Sequence, residues 1–146
     1  MKISEEAVTT FKSGFNCAQS VLSVYTDKFD LDKNIALRMA AGFGAGMGRL
    51  HETCGAVTGA IMVIGLQVQE SALDKDELKE KAYCKTKEFS KKFTEINGTT
   101  NCGKLINCDL STPEGQEYFK ENDLYEKVCA KCVKDAVEIL EDMSFS

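Results

Sequence analysis

The chain has 146 residues, of which 43% are hydrophobic and 28% are charged, and its formal net charge at pH 7 is −5. A chain of this length can bury roughly 70% of the surface that it exposes when unfolded, so we expect one domain over residues 1–146. The 18 basic residues are interleaved with 23 acidic ones. This pattern argues against a protein that binds nucleic acid or anionic lipid, and favours small molecules or other proteins as partners.

The N-terminus and the apolar segments predict a cytoplasmic protein without membrane insertion. Glu5 and Glu6 stand where a signal peptide would need apolar residues. The most apolar run, residues 54–66, contains three glycines and is shorter than the roughly 18 to 20 residues of a membrane span. Because cytosolic thiols are kept reduced, the seven cysteines indicate metal, cluster or redox chemistry rather than a disulfide framework.

Apolar residues at helical spacing predict an all-α bundle of about five to seven helices, and no segment requires a strand. In chain order, the predicted helical segments are 3–13, 17–29, 33–41, one that begins at 54, 74–96, a short one that begins at 102, one near 113, and 123–143. Gly14 ends the first of these segments, and the turn at Asn97 and Gly98 ends the long central one. Pro113 suits the first turn of a helix.

Two of these segments carry an apolar face that predicts core contacts. In the segment 74–96 this face consists of Leu78, Ala82, Phe89, Phe93 and Ile96. In the last segment it consists of Val128, Cys132, Ala136, Ile139, Leu140 and Met143. The opposite side of 74–96 is rich in lysine and glutamate, which is typical of a solvated face. Cys84 lies on that charged side, so we expect it to have no role.

Three cysteines stand directly after a residue that can cap a helix. The pairs are Asn16 with Cys17, Thr53 with Cys54, and Asn101 with Cys102. The positive end of the helix dipole lowers the pKa of a thiol, and the thiolate is both the nucleophile and the metal ligand. We therefore expect three activated thiols that converge from three helices. The alternative is that each cysteine is a small core side chain.

Cys129 and Cys132 form a CAKC sequence whose side chains both point towards the apolar face of the last predicted helix. No βαβ pattern accompanies the pair, which argues against a thioredoxin-type site. A zinc site built from Cys102, Cys108 and this pair is a minor alternative, because the first spacing is longer than usual. His51 is the only histidine, and it is a candidate metal ligand or proton carrier.

Small residues on either side of Cys54 predict close packing or the close approach of backbone to a cofactor. The glycine-rich run 42–48 does not fit a phosphate-binding loop. It has no G-x-G-x-x-G register, no strand before it and no Gly-Lys-Ser/Thr after it. The candidate cofactor-binding residues are Gly44, Gly46, Gly48, Gly55, Ala56 and Gly59.

Four segments of the sequence resemble the C-GCAxxG-C-C family of redox-active proteins. They are GFNCAQSVL, GAGMGRLHETCGAVTGAIMVIGL, NCGKLI and VCAKCVKDAVEIL. The resemblance covers nearly the whole chain and implies a small cytoplasmic protein with four characteristic cysteines, here Cys17, Cys54, Cys102 and Cys129. The residues outside the pattern are Cys84, Cys108, Cys132 and His51. The family more often has an aromatic residue where this chain has Cys132.

The family also resembles the cluster-bearing part of split-Soret cytochromes, which implies an iron–sulfur site. This chain has no CxxCH sequence for attaching a c-type haem. Four thiolates suit a [2Fe–2S] or a [4Fe–4S] cluster. The leading prediction is a small redox protein in which Cys17, Cys54, Cys102 and Cys129 hold an iron–sulfur cluster and exchange electrons with a partner protein. Zinc is the less favoured metal.

Two other functions remain open from the sequence. In a thiol–disulfide oxidoreductase, Cys54 or Cys17 would attack the substrate, and another of the four family cysteines would resolve the mixed disulfide. In a non-enzymatic helical binding or scaffold protein, the cysteines would only fill the core. A homodimer is one arrangement that the faces of small residues allow.

Overall fold

The computed structural model describes residues 1–69 and 73–145, and over these ranges the chain is helical with no strand. The α-helices are α1 (Ile3–Lys12), α2 (Cys17–Ser23), α3 (Lys33–Ala40), α4 (Gly55–Val68), α5 (Lys75–Asn97), α6 (Cys102–Ile106), α7 (Pro113–Glu121) and α8 (Lys131–Asp142). A 3₁₀ turn, Ala41–Phe43, follows α3, and a π-helical turn, Tyr125–Ala130, leads into α8. The predicted all-α fold is confirmed, with slightly more helices in the described ranges than the five to seven expected.

The apolar helix α4 packs against α2, α5 and α8. It is buried on most of its sides, as expected for a helix with so few polar residues. Gly59 permits close contact with α2, because a Cβ atom there would lie 2.8 Å from the carbonyl oxygen of Ala18. In the described part of the chain, no helix has both the length and the apolar character needed to cross a membrane.

The predicted apolar face is largely buried in α8 but only partly buried in α5, where Leu78 and Ala82 are half-buried. Phe89 and Phe93 of α5 are fully buried, and so is most of the predicted face of α8. The placement of Ile96 in the core is wrong, because its side chain is 54% exposed. The helix α5 has 23 residues and α4 has 14, so α4 cannot cover the whole length of α5.

The second predicted helix ends earlier than its apolar pattern suggests. It stops at Ser23, and turns follow as far as Asp30. The hydroxyl of Thr26 donates a hydrogen bond to the carbonyl oxygen of Ser23 at 2.8 Å, while the amide of Leu31 donates to Thr26 at 2.9 Å. Side chains that bond to nearby backbone in this way compete with helix continuation.

The glycine-rich segment forms a left-handed turn between the 3₁₀ turn and α4. Positive φ angles occur at Ala45, Gly46, Met47, Gly48 and Arg49. The amide of Gly48 donates to the carbonyl of Gly44 at 2.8 Å and closes the turn. Left-handed backbone costs a non-glycine residue roughly 1 to 2 kcal/mol, so the three non-glycine residues that alternate with Gly46 and Gly48 require support from their surroundings.

Candidate functional site

Five cysteines line one cavity of about 270 Å³ at the junction of the left-handed turn with α2, α4, α6 and the π-helical turn. They are Cys17, Cys54, Cys102, Cys129 and Cys132. Apolar and aromatic side chains form most of the remaining wall, including Phe11, Phe15, Leu105, Phe119 and Tyr125. Among the described residues, no Asp, Glu, Lys, Arg or His side chain lines this cavity.

Cys17 is fixed by the cap of α2. The side-chain oxygen of Asn16 accepts a hydrogen bond from the amide of Gln19 at 2.9 Å, and the Gln19 side chain accepts one from the amide of Asn16 at 2.9 Å. This is a reciprocal capping arrangement. Asn16 also donates to the carbonyl of Ala41 at 2.9 Å, which ties the start of α2 to the segment before the left-handed turn.

Cys54 and Cys102 are brought together by a short antiparallel contact between the two chain segments that precede α4 and α6. The amide of Cys54 donates to the carbonyl of Thr100 at 2.7 Å, and the amide of Cys102 donates to the carbonyl of Glu52 at 2.6 Å. Asn101 caps α6, as predicted. The prediction that Thr53 caps α4 is wrong, because Cys54 itself occupies the capping position.

Two of the predicted glycines, Gly46 and Gly55, lie in the wall of the cavity. The space at both positions is too small for a larger residue. A Cβ atom on Gly46 would lie 2.7 Å from the Cβ of Cys102 and 2.6 Å from the amide nitrogen of Glu52. A Cβ atom on Gly55 would lie 3.1 Å from the Cβ of Cys17. The other predicted cofactor-binding residues do not line the cavity; they are Gly44, Gly48, Ala56 and Gly59.

The π-helical turn carries Cys129, and the first turn of α8 carries Cys132. Tyr125 anchors this turn to α1, since its hydroxyl donates to the carbonyl of Phe11 at 2.8 Å and the two rings stack with their centroids 4.5 Å apart. Single π-helical turns occur frequently at functional sites. Both cysteines of the CAKC sequence face the cavity, as their inward-pointing positions predict.

Four of the thiols form two hydrogen-bonded pairs, Cys54 with Cys132 and Cys17 with Cys129. The hydrogen bond from Cys132 lowers the pKa of Cys54, and the backbone amides of Ala56 and Val57 at the start of α4 act in the same direction against the effect of burial. The same hydrogen bond, together with burial, raises the pKa of Cys132. Cys132 therefore keeps its proton and donates it to the sulfur of Cys54.

The expectation of three activated thiols is correct for Cys54 and wrong for the other two. The hydrogen bond to Cys129, followed by burial, raises the pKa of Cys17 well above its usual value. Burial raises the pKa of Cys102 to about 12, and repulsion from Cys54 adds to this effect. The helices α2 and α6 have only seven and five residues, so their dipoles do not offset the loss of water around the thiols.

His51 and the remaining cysteines lie outside the cavity wall. The Nε2 atom of His51 accepts a hydrogen bond from the amide of Leu110 at 3.1 Å, and its Nδ1 atom lies 3.9 Å from a carboxylate oxygen of Asp109. His51 therefore holds the loop that supplies Leu110 to the cavity. Cys108 is half-buried, and Cys84 is exposed on α5.

The cysteines surround a space rather than a single point. Across residues 1–69 and 73–145, no three Cys, His, Asp or Glu side chains are arranged to hold one metal ion. The resemblance to a family places Cys132 outside the site, yet Cys132 lies in the cavity wall beside Cys54. The inward position of CAKC on the last helix is the sequence signal that identifies it.

Comparison with known proteins gives a family match and a distant relative. The sequence model of a family described as "Putative redox-active protein (C_GCAxxG_C_C)" matches residues 15–143, a range that contains all five cavity cysteines. An uncharacterized protein of Archaeoglobus fulgidus is 27% identical over 146 aligned residues, which cover 94% of this chain and 90% of that protein. No solved structure matches the chain.

Proposed function

This chain belongs to the C_GCAxxG_C_C family of redox-active proteins, and from that membership we propose that its cysteine cavity holds an iron–sulfur cluster and transfers electrons. The observation that carries the proposal is that the four family cysteines, Cys17, Cys54, Cys102 and Cys129, line the same cavity. They come from four separate segments of the chain. Side chains that only filled the core would not need to share one opening.

The chemistry of the cavity suits an iron–sulfur cluster. Thiolates are the usual ligands of [2Fe–2S] and [4Fe–4S] clusters. The four family cysteines reach the cavity from four separate segments, and a cluster with several iron atoms can take a thiolate ligand from each of them. The missing side chain of Gly46 leaves backbone next to Cys102, so amide groups can approach the sulfur atoms there.

Electrostatics within the cavity also favour a positively charged metal group. Repulsion between neighbouring thiolates contributes to the raised pKa values of Cys17 and Cys102. Metal binding replaces the protons of thiol ligands. The positive charge of the iron ions would then offset the repulsion between the thiolates. When bound, the cluster would supply one-electron transfer to a redox partner protein.

The accessibility of the thiols argues against the thiol–disulfide oxidoreductase. Cys54 has a lowered pKa, as a nucleophile requires, but its side chain is only 6% exposed. A disulfide on a protein substrate could not reach it without opening the fold. Cys17, the other candidate nucleophile, has a raised pKa.

We propose a cytoplasmic location, where the reducing environment protects thiols.

Serine substitution of the cavity cysteines tests the proposal. Metal-free protein is reconstituted without oxygen with ferrous iron and sulfide, and its visible absorption is recorded. We expect a brown protein with broad absorption that is lost or strongly reduced in Cys17→Ser, Cys54→Ser, Cys102→Ser and Cys129→Ser. The matched control is Cys84→Ser, which changes an exposed cysteine. A colourless wild-type protein, or four variants that all reconstitute normally, would contradict the proposal.

A further inference from the structure

Cys132 is the feature of the cavity that cluster binding by the four family cysteines leaves unexplained. It lies in the cavity wall, its side chain is only 1% exposed, and it is hydrogen-bonded to Cys54. We propose that Cys54 and Cys132 of the metal-free protein form a reversible disulfide when a hydroperoxide enters the cavity.

The packing of the fold supports this bond. Cys54 stands at the start of α4 and Cys132 lies in the first turn of α8, and these two helices pack directly against each other. Both thiols line the same cavity wall, and each shifts the pKa of the other through a side-chain hydrogen bond. A disulfide between Cys54 and Cys132 would form by rotation of the two side chains within this packed interface.

The cavity admits a small oxidant but excludes a protein. Phe15 and Tyr125 lie in its wall, and each is 39% exposed, so part of the cavity wall lies at the protein surface. Its volume of about 270 Å³ is several times the roughly 30 Å³ that a water molecule occupies in the liquid. Hydrogen peroxide, which is only slightly larger than water, can reach Cys54 through this cavity.

The reaction balances with hydrogen peroxide as the oxidant. The sulfur of Cys54 attacks one peroxide oxygen, so an S–O bond forms, the O–O bond breaks, and the released hydroxide takes the thiol proton to become water. The sulfur of Cys132 then attacks the sulfenic acid on Cys54. The S–S bond forms, the S–O bond breaks, and a second water leaves with the proton of Cys132. Two electrons pass from the thiols to the peroxide, and a small-molecule dithiol that can enter the cavity returns them.

The effect of the disulfide on cluster binding rests on the proposed function, whereas the formation of the disulfide does not. If Cys54 is a cluster ligand, the disulfide removes it from the ligand set. The oxidised chain would then take up no cluster until it is reduced. The second cavity pair, Cys17 with Cys129, is also hydrogen-bonded, and it is the competing site of oxidation.

Peptide mapping of the metal-free protein tests the proposal directly. Trypsin cleaves after Lys131, between Cys129 and Cys132, and it places each of the seven cysteines on a different peptide. The reduced, metal-free chain is treated with hydrogen peroxide, alkylated, digested and analysed by mass spectrometry. We expect a cross-link between peptides 50–75 and 132–134 that dithiothreitol removes.

Two variants sharpen the result. Cys132→Ser keeps a hydrogen-bond donor but cannot form the bond, so this cross-link must be absent, whereas Cys84→Ser must behave like the wild type. The proposal is overturned if wild-type protein shows no cross-link between these peptides, if Cys17 pairs with Cys129 instead, or if Cys54 accumulates as sulfinic acid. Because the experiment uses no iron, failure to bind a cluster would leave its outcome unchanged.

Discussion

Replacing glycines in and beside the left-handed turn one at a time separates the energetic cost of close packing from that of backbone conformation. Gly46 has a φ of 66°, and a Cβ atom there would meet Cys102 and the backbone of Glu52. Gly48 has a φ of 60°, but a Cβ atom there would lie 4.0 Å from its nearest neighbour, the carbonyl oxygen of Gly42. Gly42 precedes the turn, has no positive φ and would have no neighbour within 4 Å. Alanine therefore meets three different environments within one segment.

The expected losses follow from these geometries. Gly48→Ala should lower the free energy of unfolding by about 1 to 2 kcal/mol, the cost of a left-handed alanine. Gly46→Ala carries the same cost plus that of overpacking, typically about 1 to 3 kcal/mol, so it should lose about 2 to 5 kcal/mol. Gly42→Ala should be neutral or should gain up to about 1 kcal/mol, because it restricts the unfolded chain.

Urea denaturation of the reduced, metal-free proteins, followed by circular dichroism at 222 nm, a generic helix signal, measures all three differences. The predicted order of stability is Gly42→Ala, then Gly48→Ala, then Gly46→Ala. Equal stabilities for Gly46→Ala and Gly42→Ala would refute the packing of the left-handed turn against Cys102. A loss at Gly46→Ala no larger than that at Gly48→Ala would show that the close contact has no energetic effect.

Three further predictions concern the thiols and the histidine. Because the pKa of Cys102 is raised to about 12, this thiol is protonated at neutral pH. Iron uptake should therefore release protons, and the affinity for iron should increase as the pH rises from 7 to 9. A titration with equal affinity at both pH values would contradict this prediction. Cys132→Ala removes the hydrogen bond that most lowers the pKa of Cys54, so alkylation of Cys54, followed by mass spectrometry, should reach half its maximal rate at a higher pH than in the wild type. His51 accepts a hydrogen bond from the amide of Leu110 and lies outside the cavity wall. His51→Asn should therefore lower the free energy of unfolding in urea by about 1 kcal/mol but retain full iron uptake. Loss of the bound iron would instead identify His51 as a ligand.

Local signals in the sequence predict much of this fold. Asn16 and Asn101 cap helices where their side chains suggest it, since capping depends only on a few neighbouring residues. Phe89 and Phe93 are buried because they share one face of a long helix. Ile96 lies on the same face but is exposed, since burial also depends on the length of the helix packed against it.

The parts of the site that depend on distant contacts could not be predicted in the same way. The bridge between the segments before α4 and α6 joins Thr53 to Asn101, and no local pattern specifies such a pairing. The sequence predicts that the glycine-rich run is unusual but does not predict its left-handed form. For Cys17 and Cys102, the position at a helix start suggests a lowered pKa. The hydrogen bond to Cys129 together with burial raises the pKa of Cys17 instead, and burial raises that of Cys102.

The content of iron, acid-labile sulfide and zinc per chain, measured on protein purified without oxygen, tests the central claim most directly. We predict iron and sulfide in equal, stoichiometric amounts and little zinc, with both lost from a Cys54→Ser variant prepared in parallel. Protein that contains no iron or sulfide, both as purified and after reconstitution, or that contains stoichiometric zinc alone, would contradict the assignment of the cysteine cavity to an iron–sulfur cluster.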